Sequence, residues 1–350
     1  MPNVGKSTLF NALTDNNILA ANYPFATIEP NTGIVPVPDE RLTKLSELYG
    51  GAPIKPAVVK FVDIAGLVAG ASKGEGLGNQ FLANIRSCNA ICHVVRAFED
   101  PDVQHVDNKF NPSKDISVIN TELILADLQT VDKRLPKIQK ESRADPKLKP
   151  IVDTLTKVRS LLDQGTPIHQ SEEVFPSEHL EDLHLLTAKP AIYAFNVDET
   201  TLSEEKRKSG LSGLVKGANS VFVCAKLESE LRGLDENDRE ELLRSYGVEE
   251  SGLIQVIHSA YKILGLQSYL TAGEKEVRSW TIKKGATAPQ AAGAIHGDFE
   301  KGFIAASIVN YQDLIDLGSL NKAKLSGKVR TEGKDYIMQP DDVVEFRFNV

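Results

Sequence analysis

Pro2-Asn3-Val4-Gly5-Lys6-Ser7-Thr8 constrains the fold of this chain more than any other stretch. It spells the back half of a phosphate-binding loop, G-x-x-x-x-G-K-[ST], whose first Gly falls one place before Met1. Such a loop joins a buried parallel strand to a helix, so it implies a layered α/β fold. The spelling follows from the chemistry of phosphate. Gly5 has no Cβ, which lets backbone N–H donors come close to the anion. Lys6 reaches the β- and γ-phosphates as a point charge, and the Ser7 hydroxyl is a ligand for Mg²⁺. The helix expected from Thr8 onward points its positive end at the phosphates. A glycine turn before a helix with a surface lysine would be spelled the same way, so the fragment does not decide the matter alone.

Three further elements follow in the order of a nucleotide fold. The apolar run Ala57-Val58-Val59-Lys60-Phe61-Val62 ends in Asp63-Ile64-Ala65-Gly66. A carboxylate at a buried strand end followed by Gly suits a metal site, with Asp63 on the water shell of Mg²⁺ and the Gly66 N–H on the γ-phosphate. The loop before it, Asn22-Tyr23-Pro24-Phe25-Ala26-Thr27, offers Thr27 as a further metal ligand. Ile192-Tyr193-Ala194-Phe195-Asn196-Val197-Asp198-Glu199 is another apolar strand, ending in groups that suit a base edge. Val221-Phe222-Val223-Cys224-Ala225-Lys226 is a fourth, with Ala225 and Lys226 in its closing turn. Each is weak alone, since strand-ending turns and solvated helix starts read alike; their common order makes them jointly strong.

With these residues in place, the chain resembles the YchF/Obg-like ATPase family of P-loop proteins over essentially its whole length. The stretch from Asn22 to Asn31 is similar to that family's first switch, and Gly70-Ala71-Ser72-Lys73-Gly74-Glu75-Gly76-Leu77-Gly78-Asn79 to its Gly-rich second switch. Arg96-Ala97-Phe98-Glu99-Asp100 and Asp298-Phe299-Glu300-Lys301-Gly302-Phe303 also resemble family signatures, and they separate it from ordinary GTPases. The resemblance implies a translation-associated ATPase that converts ATP to ADP and phosphate. It implies Mg²⁺ held by Ser7, Thr27 and Asp63, phosphate held by Asn3, Val4, Gly5, Lys6, Ser7 and Thr8, and a base end made by Asn196, Val197, Glu199, Ala225 and Lys226. Lys6 and Gly66 are the catalytic candidates. The ribosome or its large subunit is the implied partner.

Base choice rests on Asn196-Val197-Asp198-Glu199. Translational GTPases read guanine with N-K-x-D, whereas this element reads N-x-x-E. Val197 replaces the Lys whose stem covers the base, and Glu199 is a methylene longer than the guanine-reading Asp. A buried mismatch of donors and acceptors costs about 1–3 kcal/mol. The family's preference for ATP over GTP accompanies the same substitution, so the resemblance implies that ATP binds ahead of GTP, although Asp198 brings a carboxylate near the older position. Where a Gln would orient the attacking water, the chain has Leu67, so slow hydrolysis or help from another ion is expected. Asn3 sits where related NTPases place a potassium ligand, and K⁺ is the candidate second ion. Arg86 and Arg96 are expected in surface ion pairs. A GTPase, a slow nucleotide-gated ribosome-binding switch and a ribosome-binding module that no longer uses nucleotide stay open as alternatives.

Composition bounds the class. At 350 residues the chain holds two or three domains. No run of about 18 apolar residues is present, so no membrane span is expected. The opening is a polar loop, and no leader peptide is expected. Cys88, Cys92 and Cys224 are odd in number and lack zinc spacing, which reads as buried free thiols in a reducing cytoplasm. A net charge of −8 argues against a freely basic binder of nucleic acid, and no sequence-specific DNA partner is expected. Basic residues cluster at Lys133, Arg134, Lys137, Lys140, Arg143, Lys147 and Lys149, and again at Lys322, Lys324, Lys328 and Arg330. Each cluster reads either as a solvated face or as a local patch for a ribosome.

The expected fold is α/β: a P-loop NTPase with a doubly wound, mostly parallel sheet, an inserted antiparallel helical hairpin and a C-terminal ubiquitin-like β-grasp (TGS) domain. The nucleotide domain is assigned to residues 1–115 and 189–273, the coiled-coil insertion to 116–188 and the TGS domain to 274–350. Leu128, Val131, Leu135 and Ile138 form one apolar seam, and Leu148, Ile151, Leu155, Val158 and Leu162 a second beyond Asp145-Pro146. Pro136 is expected to bend the first arm. Val344, Phe346, Phe348 and Val350 alternate along one buried strand face. Because the loop starts within its own motif, truncation is expected there, with a gap in the sheet beside the strand that ends at Asp63.

Overall fold

The computed structural model describes residues 4–15, 31–64, 77–99, 111–215, 217–231 and 233–349. Its strands in chain order are β1 (Thr32–Pro36), β2 (Ile54–Lys55), β3 (Val58–Val62), β4 (Ile91–Arg96), β5 (Ala191–Asn196), β6 (Asn219–Val223), β7 (Leu266–Ala272), β8 (Val277–Lys283), β9 (Phe303–Asn310), β10 (Arg330–Glu332) and β11 (Asp342–Phe348). Two compact units divide them. One takes the described residues up to 15, 31–33 and those within Phe61–Ala260; the other takes Ile34–Lys60 and those within Tyr261–Val350.

The first unit is built on a parallel sheet, β4-β5-β6. Ile192, Tyr193, Ala194 and Phe195 of the central strand are all buried, because helices cover both faces of a parallel sheet. Arg96 pairs with Asn196 and Asn196 with Val223, so the three strands end in one row. That carboxyl edge is where open α/β sheets bind ligands. The helix Gly252–Ile263 follows β6 in this region of the chain. β1 and β3 form a separate two-stranded sheet, and among the described residues no ladder joins β3 to β4. The interruption lies beside the strand that leads to Asp63.

Two long helices, Pro112–Ala144 and Lys149–Asp163, fold back against each other around a short 3-10 turn, Pro146–Leu148. Val131, Leu135 and Ile138 meet Leu155, Val158 and Leu162 in one apolar cluster, with Leu128, Leu148 and Ile151 half-buried beside it. The first helix runs on through Pro136. Asp145 makes the turn sharp: its carboxylate accepts the Lys147 N–H at 3.0 Å.

The second unit is a mixed six-stranded sheet in the order β10-β9-β11-β7-β8-β2. β7 and β8 pair antiparallel, as do β9 and β11, while β11 and β7 run parallel. The helix Ala288–Ile295 starts with Pro289 and a reciprocal Thr287–Gln290 cap, and its alanines pack under Tyr269, Phe303, Ile308 and Val344. Strand pairing here starts at Leu266, and the sheet also takes in residues from far upstream. The helix Glu40–Leu48 buries Leu42 and Leu45 against Leu270, Val277, Val309, Leu314 and Val343. This second layer explains a departure from simple alternation in β11. Val344 and Phe346 face one cluster as the pattern predicts, but Val343 is buried as well, on the opposite face. Phe348 stacks on Phe299, and Val350 lies outside the described residues. Among the described residues no helix is long and apolar enough to cross a membrane.

Candidate functional site

The phosphate loop enters the helix Lys6–Asp15 through Gly5, whose φ is +87°. Only Gly adopts that conformation without strain. The Gly5 carbonyl accepts the Leu9 N–H at 2.9 Å and so closes the first turn. Val4, Leu9, Ala12 and Leu13 are buried, which fixes the loop to the unit's core. Ser7 and Thr8 sit exposed at the helix start, where a hydroxyl is open to a ligand.

Two long-range contacts hold this loop. The Lys6 ammonium meets the Asp63 carboxylate, at the chain position just past β3. The candidate phosphate lysine and the candidate metal carboxylate thus converge from separate elements on one point. Asn196, last residue of β5, donates its Nδ2–H to the Val4 carbonyl at 3.1 Å. The Asn196 amide is therefore a brace for the loop. A Cβ on Gly5 would lie 2.4 Å from Asn196 Nδ2, so the close approach itself requires Gly.

The residues assigned to the base end lie in the turns after β5 and β6. Asp198 caps the helix Glu199–Ser203, accepting from the Thr201 N–H at 2.8 Å and the Thr200 hydroxyl at 2.9 Å. Burial opposes its charge, but those donors prevail and hold the carboxyl below its usual range. Asp198 Oδ1 is thus engaged with its own helix. Glu199 points elsewhere, to Lys226, whose Nζ lies 2.7 Å from Oε1. Lys226 comes from the helix Ala225–Glu230, and the Glu199 carboxylate holds its ammonium above the usual lysine range. Ala225 is half-buried at the start of that helix.

Comparison with known proteins bears directly on this arrangement. Residues 1–141 match the model of the family described as "50S ribosome-binding GTPase". Residues 266–349 match the YchF GTPase C-terminal model, described as "Protein of unknown function (DUF933)". A relative from Bacillus subtilis (strain 168), named "Ribosome-binding ATPase YchF", is 48% identical over 100% of this chain and 98% of its own length. One of the same name from Haemophilus influenzae is 50% identical over the same shares. The solved "Structure of the Schizosaccharomyces pombe YchF GTPase" superposes with a TM-score of 0.85 at 38% identity, covering 99% of this chain and 96% of that one. The chain belongs to the YchF family. Its fold is that of a P-loop NTPase with a family-specific C-terminal region.

Within this YchF chain several expectations are corrected. Val197 was assigned to the base end; its side chain packs in the core with Leu202, Val215 and Cys224, because it directly follows the buried strand β5. Its contribution is a backbone N–H, donated to the Val223 carbonyl at 2.9 Å. Arg96 was expected in a surface pair. It is 2% exposed, donates from Nε to the Phe98 carbonyl at 3.1 Å and lies over the Phe98 ring. Of the three thiols expected to be buried, Cys224 is, whereas Cys88 is half-buried and Cys92 exposed. Asn3, Thr27, Gly66 and Leu67 lie outside the described residues, as does the first-switch stretch apart from Asn31. Two contacts were not foreseen, Lys6 with Asp63 and Glu199 with Lys226. Both partners of each were candidates already, but nothing in their spacing along the chain says that they touch.

Proposed function

We propose that this chain is a cytoplasmic, ribosome-associated nucleoside triphosphatase that hydrolyses ATP to ADP and phosphate and prefers ATP to GTP. One observation carries the reading: Lys6 at the loop and Asp63 past β3 meet at one point, beside a loop braced by Asn196. A cation and a carboxylate so placed match the two poles that a triphosphate and its divalent ion require. The names of the relatives support the reaction and the partner.

The residues present fit Mg²⁺. Ser7 is an exposed hydroxyl at the helix start and Asp63 a carboxylate opposite it, both hard oxygen donors, and Thr27 is the third candidate ligand. No cluster of three His, Cys, Asp or Glu exists among the described residues, which suits an ion shared with phosphate oxygens rather than caged by protein. Magnesium, when bound, supplies charge neutralisation at the phosphate oxygens. Lys6 exchanges Asp63 for phosphate as nucleotide enters, and the backbone around Gly5 donates to the anion. The Gly66 N–H is assigned to the γ-phosphate, and Asn3 to a potassium ion that offsets the absence of a water-orienting Gln at Leu67.

ATP ahead of GTP rests on the base end, where Asp198 Oδ1 is engaged with its own helix and Glu199 is held by Lys226. The partner surface is assigned to the exposed basic residues of the hairpin, Lys133, Lys137, Lys140 and Arg143, and to exposed Lys322 and Lys324. A second reading, a nucleotide-gated binding switch with incidental hydrolysis, is favoured by Leu67 alone.

Calorimetric titration of ATP and GTP with Mg²⁺, for the unaltered chain and Lys6→Ala, tests the site. The expected result is tighter ATP binding, lost in Lys6→Ala. Equal binding of both nucleotides would remove the base argument, and unchanged binding by Lys6→Ala would remove the phosphate site. Turnover higher in K⁺ than in Na⁺ is expected from Asn3. Charge reversal of the two basic clusters is expected to weaken co-sedimentation with ribosomes.

A further inference from the structure

Glu199 Oε1 is shut off from solvent and faces the Lys226 ammonium, whose Nζ stands 2.7 Å away. One ammonium does not exhaust the acceptor capacity of a carboxylate, and a ligand that supplies a further donor is favoured. The place of this oxygen matters. Glu199 opens the helix after β5 and Lys226 lies in the helix after β6, and these neighbouring parallel strands end in one row. The pair therefore bridges two strand-to-helix turns at the ligand edge of the sheet.

Asn196 Nδ2 is bonded to the loop, and Asp198 Oδ1 to Thr200 and Thr201. Val197 faces the core. The Glu199 carboxylate is the acceptor that the ion pair fixes between the two turns. Lys226 is the more open member of the pair, its side chain 69% exposed against 30% for Glu199. It thus approaches the carboxylate from the solvent side.

We infer that Lys226 is a positioning residue for base choice, acting through Glu199. Its ammonium holds the carboxylate in place between the two turns, leaving it to accept from the exocyclic amine of adenine. Guanine carries a carbonyl oxygen where adenine carries that amine, so the same carboxylate meets an acceptor and repels it. Without Lys226, Glu199 is a flexible acid at a helix start and turns out to water. This inference rests on the reading that the site prefers ATP.

The test measures Kd for ATP, GTP and purine riboside triphosphate, which lacks the exocyclic amine. The proteins are the unaltered chain, Lys226→Met and Lys226→Arg, each checked for folding by thermal melting. In the unaltered chain, loss of the amine should weaken binding about ten-fold or more. In Lys226→Met the amine should no longer matter, with ATP and the amine-free analogue within about two-fold. Lys226→Arg should restore most of the dependence, since a guanidinium pairs equally well with a carboxylate. A merely structural lysine would weaken all three nucleotides together and leave their ratios intact; that result overturns the inference. If the unaltered chain prefers ATP and Lys226→Met keeps the full amine dependence, the inference falls and the ATP reading stands. If the unaltered chain binds ATP and GTP equally, or neither, both fall.

Discussion

Asn196 and Val4 are joined across 192 positions of sequence by a single hydrogen bond, Asn196 Nδ2 to the Val4 carbonyl oxygen at 3.1 Å. Both residues are buried, so water cannot replace the bond. Asn196→Ala is expected to leave the Val4 carbonyl without a partner and to cost about 1–3 kcal/mol. Because the loss falls on the phosphate loop, nucleotide affinity should drop by about ten- to a hundred-fold while the C-terminal unit is unaffected. Titration with ATP and a melting curve check this. Unchanged affinity would remove the bracing role.

Gly5 is constrained twice, by a φ of +87° and by a Cβ position 2.4 Å from Asn196 Nδ2. Gly5→Ala is expected to cost about 1–3 kcal/mol from the conformation alone, with a steric part added. The steric part needs the Asn196 amide. Gly5→Ala combined with Asn196→Ala should therefore be less damaging than the sum of the single changes. Strict additivity in a double-mutant cycle would show that the loop relaxes away from β5.

Asp127 is a buried acid of the first hairpin helix. Its carboxylate accepts the Leu186 N–H at 2.8 Å, the Thr187 N–H at 2.7 Å and the Thr187 hydroxyl at 2.7 Å. Burial raises its pKa, and those donors only partly offset it. Asp127→Ala strands two buried N–H groups and should cost about 3–5 kcal/mol in chemical denaturation. Thr187→Val removes one donor and leaves the other two, and should cost markedly less.

His169 supplies a pH dependence. Burial lowers its pKa below the ordinary value of 6.5, although its bond to the Thr187 carbonyl, at 3.0 Å, works the other way. Nε2 is buried without a partner, which is tolerable only for the neutral ring. Below pH 6.5 the unfolded chain therefore binds the extra proton more readily than the folded one. Stability is full above that value and is lost as pH falls toward the folded pKa. Denaturant titrations from pH 7.5 to 5 should show a steeper decline for the unaltered chain than for His169→Asn. Parallel curves would show that the ring is not the titrating group.

The sequence by itself determined what depends on neighbours a few residues apart. Gly5 before Lys6, the apolar seams of the hairpin, Pro289 at a helix start and the alternation at Val344 and Phe346 each carry a local backbone or periodicity requirement, and the structure meets each of them.

Tertiary structure alone decided which distant groups touch. Arg96 looks like a surface residue in sequence and Val197 like a base contact, yet both are buried. Residues Ile34–Lys60 follow the first switch in the chain, yet they fold with the C-terminal sheet, because the apolar face of Glu40–Leu48 finds its cover on β7, β8 and β9. The same holds at the site. Asn196 with Val4, Lys6 with Asp63 and Glu199 with Lys226 are set by how strands align and where their turns emerge. No periodicity or motif encodes such a pairing; it exists only once burial of the strands has fixed the register that brings their ends together.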